Sequence, residues 1–600
     1  MNEAPTLVGR LLGHAKERPD AVALRHKRFG RWEEIRWQQY CDHVAEAAHA
    51  LHEAGVGPGD AVGILSDNRP EWLYADLGAQ SIGALAVGIY QTNPPADVAY
   101  ILDHAKVKVL ICEDQEQVDK AIEVAAETPS VTRVVCIDPR GTRGYDDPRL
   151  VTWHAFTETG RAARGADPDW WSAQVAARNP EAPSMVVYTS GTTGPPKGAL
   201  LSPRNATAVV GDLSRSLKAS EQDWLLSYLP LCHVAEKIYS VFIPLTVGCV
   251  VHFGESIETV QEDLKEVSPT IFLGVPRIWE KMHAAVTLRM RDSGWLQRQL
   301  FDFFVARGQH WRDPERIKPL GPFEWLGAQL GDLLVFRALH EHLGLRRCRL
   351  PTSGAAPIAP DLLRWFSAVG LPVREGYGMT ECAGATHFNL PHANRLGTVG
   401  QTLSPLETSV ADDGEILIQG PSVFCGYLHN EEATRAIIDE QGRYHTGDIG
   451  SIDADGFLSI TGRKKEILIT AGGKNLSPER IENALKLSPY IKEVVAIGDR
   501  RKFVSALVQI DADAVGDWAL RERIPFTDFE DLTKQTQVTD LVDKEIRRAN
   551  EALARVEQVR AFRLFPKELH QDDGELTPTQ KVRRKAIGER WGRLVEEMYR

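Results

Sequence analysis

The residues Tyr188-Thr-Ser-Gly-Thr-Thr-Gly-Pro-Pro-Lys-Gly198 follow directly on an apolar run, Ser184-Met-Val-Val-Tyr188. Hydroxyls at Thr189, Ser190, Thr192 and Thr193 alternate with Gly191 and Gly194, and Lys197 adds a positive charge. Glycines let a backbone approach an anion closely, hydroxyls and amides donate to it, and an ammonium neutralises it, so the loop reads as a phosphate cradle. A P-loop is excluded by spacing: Pro196 stands where G-x-x-x-x-G-K-[ST] needs its second glycine, and Gly198 where it needs Ser or Thr. A plain Ser/Thr/Gly turn is the competing reading of the same residues.

Further polar groups lie in Leu229-Pro-Leu-Cys-His-Val-Ala-Glu236, Ser353-Gly-Ala-Ala-Pro357, Glu375-Gly-Tyr-Gly-Met-Thr-Glu381, Tyr444-His-Thr-Gly-Asp448, Gly462-Arg-Lys-Lys-Glu466 and Leu576-Thr-Pro-Thr-Gln-Lys-Val-Arg-Arg584. Taken singly, each has a bland alternative. His233 after a Pro-bounded apolar strand can be a satisfied core histidine, and Ser353 to Pro357 a tight strand-to-helix turn. Asp448 can belong to an ordinary turn, and Lys581 with Arg583, Arg584 and Lys585 to a solvated basic helix.

The elements that must position these groups follow from periodicity. From Ala61 to about Cys136, short apolar runs alternate with helical patterns, a βαβ rhythm that predicts a parallel sheet. It resumes at Ser184 and again at Thr270-Ile-Phe-Leu-Gly274, each time predicting strand, turn and helix. Ligands of such sheets sit at the carboxyl ends of the strands. Residues from about 285 to 345 are helical in pattern and rich in aromatic and basic side chains, a helical insert. After about Arg395, short alternating segments broken by Asp-Gly turns predict hairpins and a β-rich subdomain. A strand-turn-helix pattern restarts at Gly462, and residues 541–600 carry 14 Lys plus Arg against 11 Asp plus Glu, either a phosphate-facing end or a solvated helix face.

The chain has 600 residues, 43% hydrophobic and 25% charged, which excludes a single small module and disordered or membrane compositions. A net charge of -12 gives no general attraction for nucleic acid. The eight cysteines are scattered without a C-x-x-C pair, which fits reduced thiols. Charges interrupt the first twenty residues before a signal-peptide core could form, so a cytoplasmic location is expected. The most apolar stretch, Ile238 to Phe253, is shorter than a spanning helix and contains Pro244, so it reads as buried core and allows at most peripheral membrane contact.

Together and in this order, the segments resemble the adenylate-forming superfamily: the signature loop at Tyr188, then His233, Ser353, Glu375, Tyr444, Gly462 and Leu576. Arg277 and Trp279 in Phe272-Leu-Gly-Val-Pro-Arg-Ile-Trp279, with the helical insert, resemble the long-chain branch of the acyl-CoA synthetases, and Ile467 to Glu482 the bubblegum-type subgroup. Trp279 as ordinary helix core is the alternative. The resemblance implies an α/β fold. It comprises a large N-terminal domain, 1–462, of parallel and mixed sheets with helices and a β-rich subdomain at about 395–462, and a small mobile α+β C-terminal domain, 463–600.

The activity implied is ATP-dependent ligation of a long-chain fatty acid to coenzyme A through an acyl-adenylate, by a monomer or homodimer. The residues Thr189, Ser190, Gly191, Thr192, Thr193, Gly194 and Lys197 would hold the β- and γ-phosphates. Gly354, Ala355, Ala356 and Pro357 with Glu375, Gly376 and Gly378 would line the adenine site, Tyr377 would stack on the purine, and Asp448 and Arg463 would hold the ribose. Thr380 would donate to the α-phosphate, and Glu381 with Thr192 would hold Mg2+. His233 would stand at the acyl wall, Lys581 would be the catalytic lysine, Lys465 the hinge, and Gly472 would line the thiol's channel. One departure is evident: Ile469 occupies the position where many relatives carry a second lysine. An adenylation enzyme for another carboxylate or a carrier protein, or a nucleotide- or acyl-binding sensor without turnover, is the rival; no Gly-Gly-x-Ser segment follows Lys581.

Overall fold

The computed structural model describes residues 4–189, 195–256, 259–316, 319–577 and 580–600. Its central feature is an eight-stranded sheet in the order 426–427, 197–201, 185–189, 85–89, 61–65, 107–112, 133–136 and 150–152. The strands from 85–89 to 150–152 run parallel, as the βαβ rhythm requires, and 185–189 is parallel to 85–89. Ala61–Leu65 is buried at every position, the mark of a strand covered on both faces. Prolines at the first turn open the helices Pro70–Ser81, Pro203–Ser216, Pro276–Arg291 and Pro360–Ala368, where a missing N–H costs nothing.

One expectation is corrected here. Met185–Thr189 is followed by the antiparallel strand Lys197–Leu201, with Thr189 opposite Lys197, and the helix comes only at Pro203. The apolar Gly198-Ala-Leu-Leu201 pairs back onto its neighbour before Ser202 caps the helix, accepting from the Asn205 N–H at 3.1 Å. At the second restart, Ile271–Gly274 passes through Val275 into Pro276–Arg291 as expected.

A second sheet runs 224–227, 250–253, 22–28, 31–36, and a third 271–274, 350–353, 374–377, 387–388, 401–402. The Asp-Gly hairpins are present: Glu407–Val410 pairs with Glu415–Gln419, and Tyr444–Ile452 with Leu458–Arg463, in one antiparallel sheet. The insert consists of Trp295–Trp311, Pro322–Gly331, a wide turn over Asp332–Phe336, and Arg337–His342. Ile238 to Phe253 is interior, and no described helix is long and apolar enough to cross a membrane. Beyond residue 463, the strands Ile491–Ile497, Val504–Ile510 and Val559–Leu564 and the helices packed on them enclose separate apolar cores around Val504 and Phe565. All eight cysteines are free.

Candidate active site

The carboxyl end of the strand 374–377 faces the β-rich sheet through Tyr377, and the loop after 350–353 faces the C-terminal segment, where the Asn483 amide donates to the Pro357 carbonyl at 3.3 Å. Asp448 and Arg463 face each other across the hairpin, with Arg463 Nε 3.4 Å from Asp448 Oδ1. The Tyr377 hydroxyl donates to Asp448 Oδ2 at 2.5 Å, which ties the strand Arg374–Tyr377 to the β-rich sheet. Asp448 is buried, and desolvation raises its pKa against the opposing pull of Arg463, Tyr377 and Lys581.

Lys581 reaches this cluster from a tight loop. Its N–H donates to Thr577 Oγ1 at 3.0 Å, its carbonyl accepts from the Thr577 N–H at 2.8 Å, and Leu576 bridges to Val582. The side chain is open to solvent along the cleft but hemmed by protein; desolvation first, then Arg463, lowers its ammonium pKa, while Glu479, Asp448 and Glu466 hold it up. The basic run around it is not one solvated helix. Arg584, two residues past Val582, is clamped by both oxygens of Glu482 at 2.7 and 2.6 Å and by Glu466 at 3.3 Å, and helix begins only there.

His233 caps the short helix Val234–Lys237, with Nδ1 accepting from the Ala235 N–H at 3.1 Å, which leaves the proton on Nε2. Burial and then the Lys581 charge lower its pKa to about 4. Behind it, Lys237 and Asp76 form a fully buried ion pair, both contacts 3.1 Å, with the ammonium 4.4 Å from the centre of the Trp72 ring. Glu236, accepting from Ser227 and Ser240, is pushed up to about 7 by burial. Sequence reasoning reached His233 but not Asp76, whose pairing spans 161 residues.

Of the expected phosphate loop, Ser190, Gly191, Thr192, Thr193 and Gly194 lie outside the described residues. Its two stems are described: the Thr189 hydroxyl donates to the Lys197 carbonyl at 3.4 Å. Lys197 Nζ stands 5.0 Å from the centre of the Tyr427 ring, and the Tyr427 hydroxyl donates to Glu381 Oε1 at 2.6 Å. Tyr427 therefore links the loop's lysine to the acidic residue of the Glu375–Glu381 segment. No sequence signal marked it, since it sits in a two-residue strand, Gly426–Tyr427, at the sheet edge.

Gly354 to Pro357 follow Leu350–Ser353, and Ala355 is left-handed at φ 68, a conformation that costs a Cβ-bearing residue energy. Beneath this loop the Glu375 carboxyl is buried and takes the Ile358 N–H; burial pushes it up to about 8. Gly378 has a packing requirement of its own: a Cβ there would meet the Gly384 carbonyl oxygen at 2.1 Å. Thr380 opens a single turn, Thr380–Cys382. Trp279 is fully buried, donating to the Gly274 carbonyl at 2.9 Å and packing on Phe272 and Phe366, so the helix-core alternative describes its surroundings. Its neighbour Arg277 turns to Asp511 at 3.4 Å. Lys465 lies exposed in the turn after Leu458–Arg463, and Gly472 is exposed in the hairpin 468–476, whose first strand holds Ile469.

Comparison with known proteins bears on this arrangement. Residues 12–428 match the family model of the AMP-binding enzymes and residues 465–600 that of the AMP-binding enzyme C-terminal domain. The chain is 32% identical over 609 residues to the long-chain-fatty-acid–CoA ligase FadD15 of Mycobacterium bovis, covering 100% of this chain and 98% of that one. It is 31% identical over 637 residues to the long-chain-fatty-acid–CoA ligase ACSBG1 of Homo sapiens, covering 100% and 86%. Among solved structures, the anthranilate CoA ligase AuaEII in complex with anthranoyl-AMP superposes with a TM-score of 0.71 at 21% identity, over 98% of this chain and 97% of that one. The A-PCP didomain of the carboxylic acid reductase of Segniliparus rugosus in complex with AMP gives 0.71 at 21%, over 99% and 82%. At that identity the structures share the fold.

Proposed function

This chain belongs to the AMP-binding enzyme family, and on that premise we propose that it ligates a long-chain fatty acid to coenzyme A by way of an acyl-adenylate. The observation that carries the reading is that the charge of Lys581 acts on Asp448, Arg463 and His233, groups brought near it by three separate parts of the chain, the segment at 233, the hairpin 444–463 and the loop at 581. Full-length similarity to ligases of that name supports the acyl class.

In the first half-reaction a carboxylate oxygen attacks the α-phosphorus of ATP, the α–β bridging bond breaks, and pyrophosphate leaves with its electron pair. Two anions must approach, so fixed positive charge and oriented donors do the work. Lys581 stands between carboxylate and α-phosphate, with Thr380 donating to the latter. The loop stems Thr189 and Lys197, with Ser190 to Gly194, hold the β- and γ-phosphates. Tyr377 stacks on adenine against Gly354, Ala355, Ala356 and Pro357, Glu375 braces that wall, Gly376 and Gly378 keep it thin, and Asp448 and Arg463 hold the ribose. His233 with its pKa near 4 stays neutral, adding a donor at the acyl wall without repelling Lys581. In the second half-reaction the thiol sulfur attacks the acyl carbon, the bond to AMP breaks, and the thiol proton leaves to solvent. A C-terminal domain from 463 then turns about Lys465 so that Gly472 faces the thiol's path.

The residues fit Mg2+: Tyr427 engages one oxygen of Glu381, and among the described residues no hydrogen bond holds the other. One protein carboxylate plus substrate phosphates is the usual way this ion is held. Glu381 and Thr192 would hold it, and it would neutralise the triphosphate. The reading sets the enzyme in the cytoplasm. Incubating the protein with ATP, palmitate and coenzyme A tests it: pyrophosphate and palmitoyl-CoA should form in equal amounts. Pyrophosphate without thioester would point to a carrier-protein acceptor, and neither product to a sensor.

A further inference from the structure

A cavity of about 720 Å³ lies between the end of Trp295–Trp311, the turn Asp332–Phe336 and the carboxyl end of the helix Pro360–Ala368. Two of the side chains that line it are buried with donors unspent. Ser367 is 2% exposed, and its hydroxyl has no hydrogen-bond partner among the described residues, not even a carbonyl of its own helix. Arg312 gives Nη2 to Asp332 at 2.6 Å and to the Ala328 carbonyl at 3.3 Å, but its buried Nη1 donates to no described residue. That nitrogen lies against Gly370, which also lines the cavity and leaves it the room a Cβ would take. Buried donors without partners are costly, so the two together call for an acceptor that the protein itself does not supply.

The charges around the cavity select the kind of acceptor. Arg337 and Arg346 line it besides Arg312, against the single carboxylate of Asp332. Arg346 meets Glu341 at 3.3 Å, whereas Arg337 forms no ion pair among the described residues. Asp313 and Glu315 line no part of the cavity: Asp313 accepts the Glu315 N–H at 3.0 Å, and Glu315 accepts the Leu396 N–H at 3.2 Å. His340 commits Nε2 to the Val369 carbonyl at 2.7 Å, and burial lowers its pKa, so it adds no fixed charge. The lining is positive, and Arg337 is its uncommitted member. Ser367, Arg312 and Arg337 come from three elements around one space, an arrangement that a tetrahedral oxyanion satisfies better than a planar carboxylate. The space is of small-molecule size, and Leu333 and Pro372 add apolar wall. Ser367 is too deeply buried for a flat surface to reach, so the ligand is a soluble molecule.

We propose that this cavity binds the phosphate group of a soluble phosphorylated small molecule, with Arg312 Nη1, the Ser367 hydroxyl and the Arg337 guanidinium as its donors. The proposal goes beyond the ligase reading. None of the lining residues belongs to the Lys581 cluster, so a failed binding test and a failed ligation assay are separate outcomes. The probe is inorganic phosphate, and because phosphate also suits the nucleotide site, the readout is taken at individual arginines. The full chain is treated with phenylglyoxal, which modifies accessible guanidinium groups, and the labelling of each arginine is followed by peptide mass spectrometry. Phosphate should slow the labelling of Arg337 several-fold and saturably, chloride at equal ionic strength should not, and the exposed Arg555 should label alike in both. Ser367→Ala removes a donor that no described residue uses, so it should melt no lower than the parent chain. It should raise the phosphate concentration for half-protection of Arg337 by about tenfold. Arg337→Gln, an exposed substitution that leaves the fold alone, should bind one phosphate fewer per chain in equilibrium dialysis with labelled phosphate. An unprotected Arg337, protection that chloride reproduces, or protection and stoichiometry indifferent to both substitutions would each overturn the proposal.

Discussion

Lys581 is a cation held beside another cation. Desolvation and the Arg463 guanidinium push its pKa down, and the bound carboxylate and α-phosphate would supply the missing negative charge. Lys581→Ala should lower the rate of adenylate formation on the order of 100-fold or more. Thioester formation from supplied acyl-adenylate should persist, and equal loss in both steps would remove its assigned role. The active form is the protonated one, so adenylation should decline with rising pH below the roughly 10.4 of a free lysine, and Lys581→Arg should abolish that alkaline limb. Glu375 carries the opposite lesson. Its pKa of about 8 means that the folded chain keeps a proton the unfolded chain releases near roughly 4.3. That contribution to stability is complete below the unfolded value and fades as pH rises toward about 8. Glu375→Gln should therefore melt progressively higher than the parent chain as pH increases across that window, measured without nucleotide; a constant difference would place the Glu375 carboxyl in water. Lys581 and Glu375 were legible from their segments, but Tyr427 was not, because its contact with Glu381 crosses 46 residues and belongs to the sheet edge rather than to any local pattern.

Two kinds of element surround the site, and they differ in how plainly the sequence announces them. The hairpins at Ala411-Asp-Asp-Gly414 and Asp453-Ala-Asp-Gly456 follow from turn chemistry, since Gly414 and Gly456 adopt the positive φ that only such residues take readily. The loop after Thr189 returns in an antiparallel strand instead of a helix, because a strand followed by a glycine-rich turn has the same local signature in both arrangements. Its consequence is mechanical: both stems of the expected phosphate loop are joined by one ladder, at Thr189 and Lys197. The turn at Lys464 to Glu466 has another role. Lys464 is fixed, its N–H on the Gly447 carbonyl at 2.8 Å and its ammonium on Asp413 and Glu415. The Lys465 N–H is not among the turn's hydrogen bonds, so proline there removes none while fixing φ near roughly -65° and restricting Lys464. Lys465→Pro should retain pyrophosphate release and make acyl-CoA more slowly by orders of magnitude. Both half-reactions measured on one purified variant decide it, and equal impairment would leave no hinge.

At the scale of the molecule, the C-terminal segment rests on the large body through apolar contacts, Leu288 on the C-terminal core and Leu487 on the core around Trp279, and through polar ones. Arg521 meets Asp292, Arg277 meets Asp511, Asn483 donates to the Pro357 carbonyl at 3.3 Å, and Gln571 to the Thr92 carbonyl at 2.9 Å. Half-exposed pairs of this kind contribute about 1 kcal/mol or less each, which would suit the proposed turning of the C-terminal domain. The acyl class is also a whole-molecule property. Affinity should rise with chain length by at most about 0.8 kcal/mol per methylene until the site is full. Dissociation constants and kcat/KM across saturated acids test it, and acetate or benzoate as the best substrate would remove the long-chain part of the reading while sparing adenylate formation. The sequence by itself determined the α/β class, the order of the segments, the parallel sheet, the late hairpins and the insert, because periodicity and turn chemistry act over a few residues. The tertiary structure decided what those residues meet: Lys581 beside Asp448, Tyr427 on Glu381, Lys237 on Asp76 and Trp279 in the core. Such contacts join positions tens to hundreds of residues apart, and burial, which sets the pKa of His233 and Glu375, exists only once those distant segments have packed.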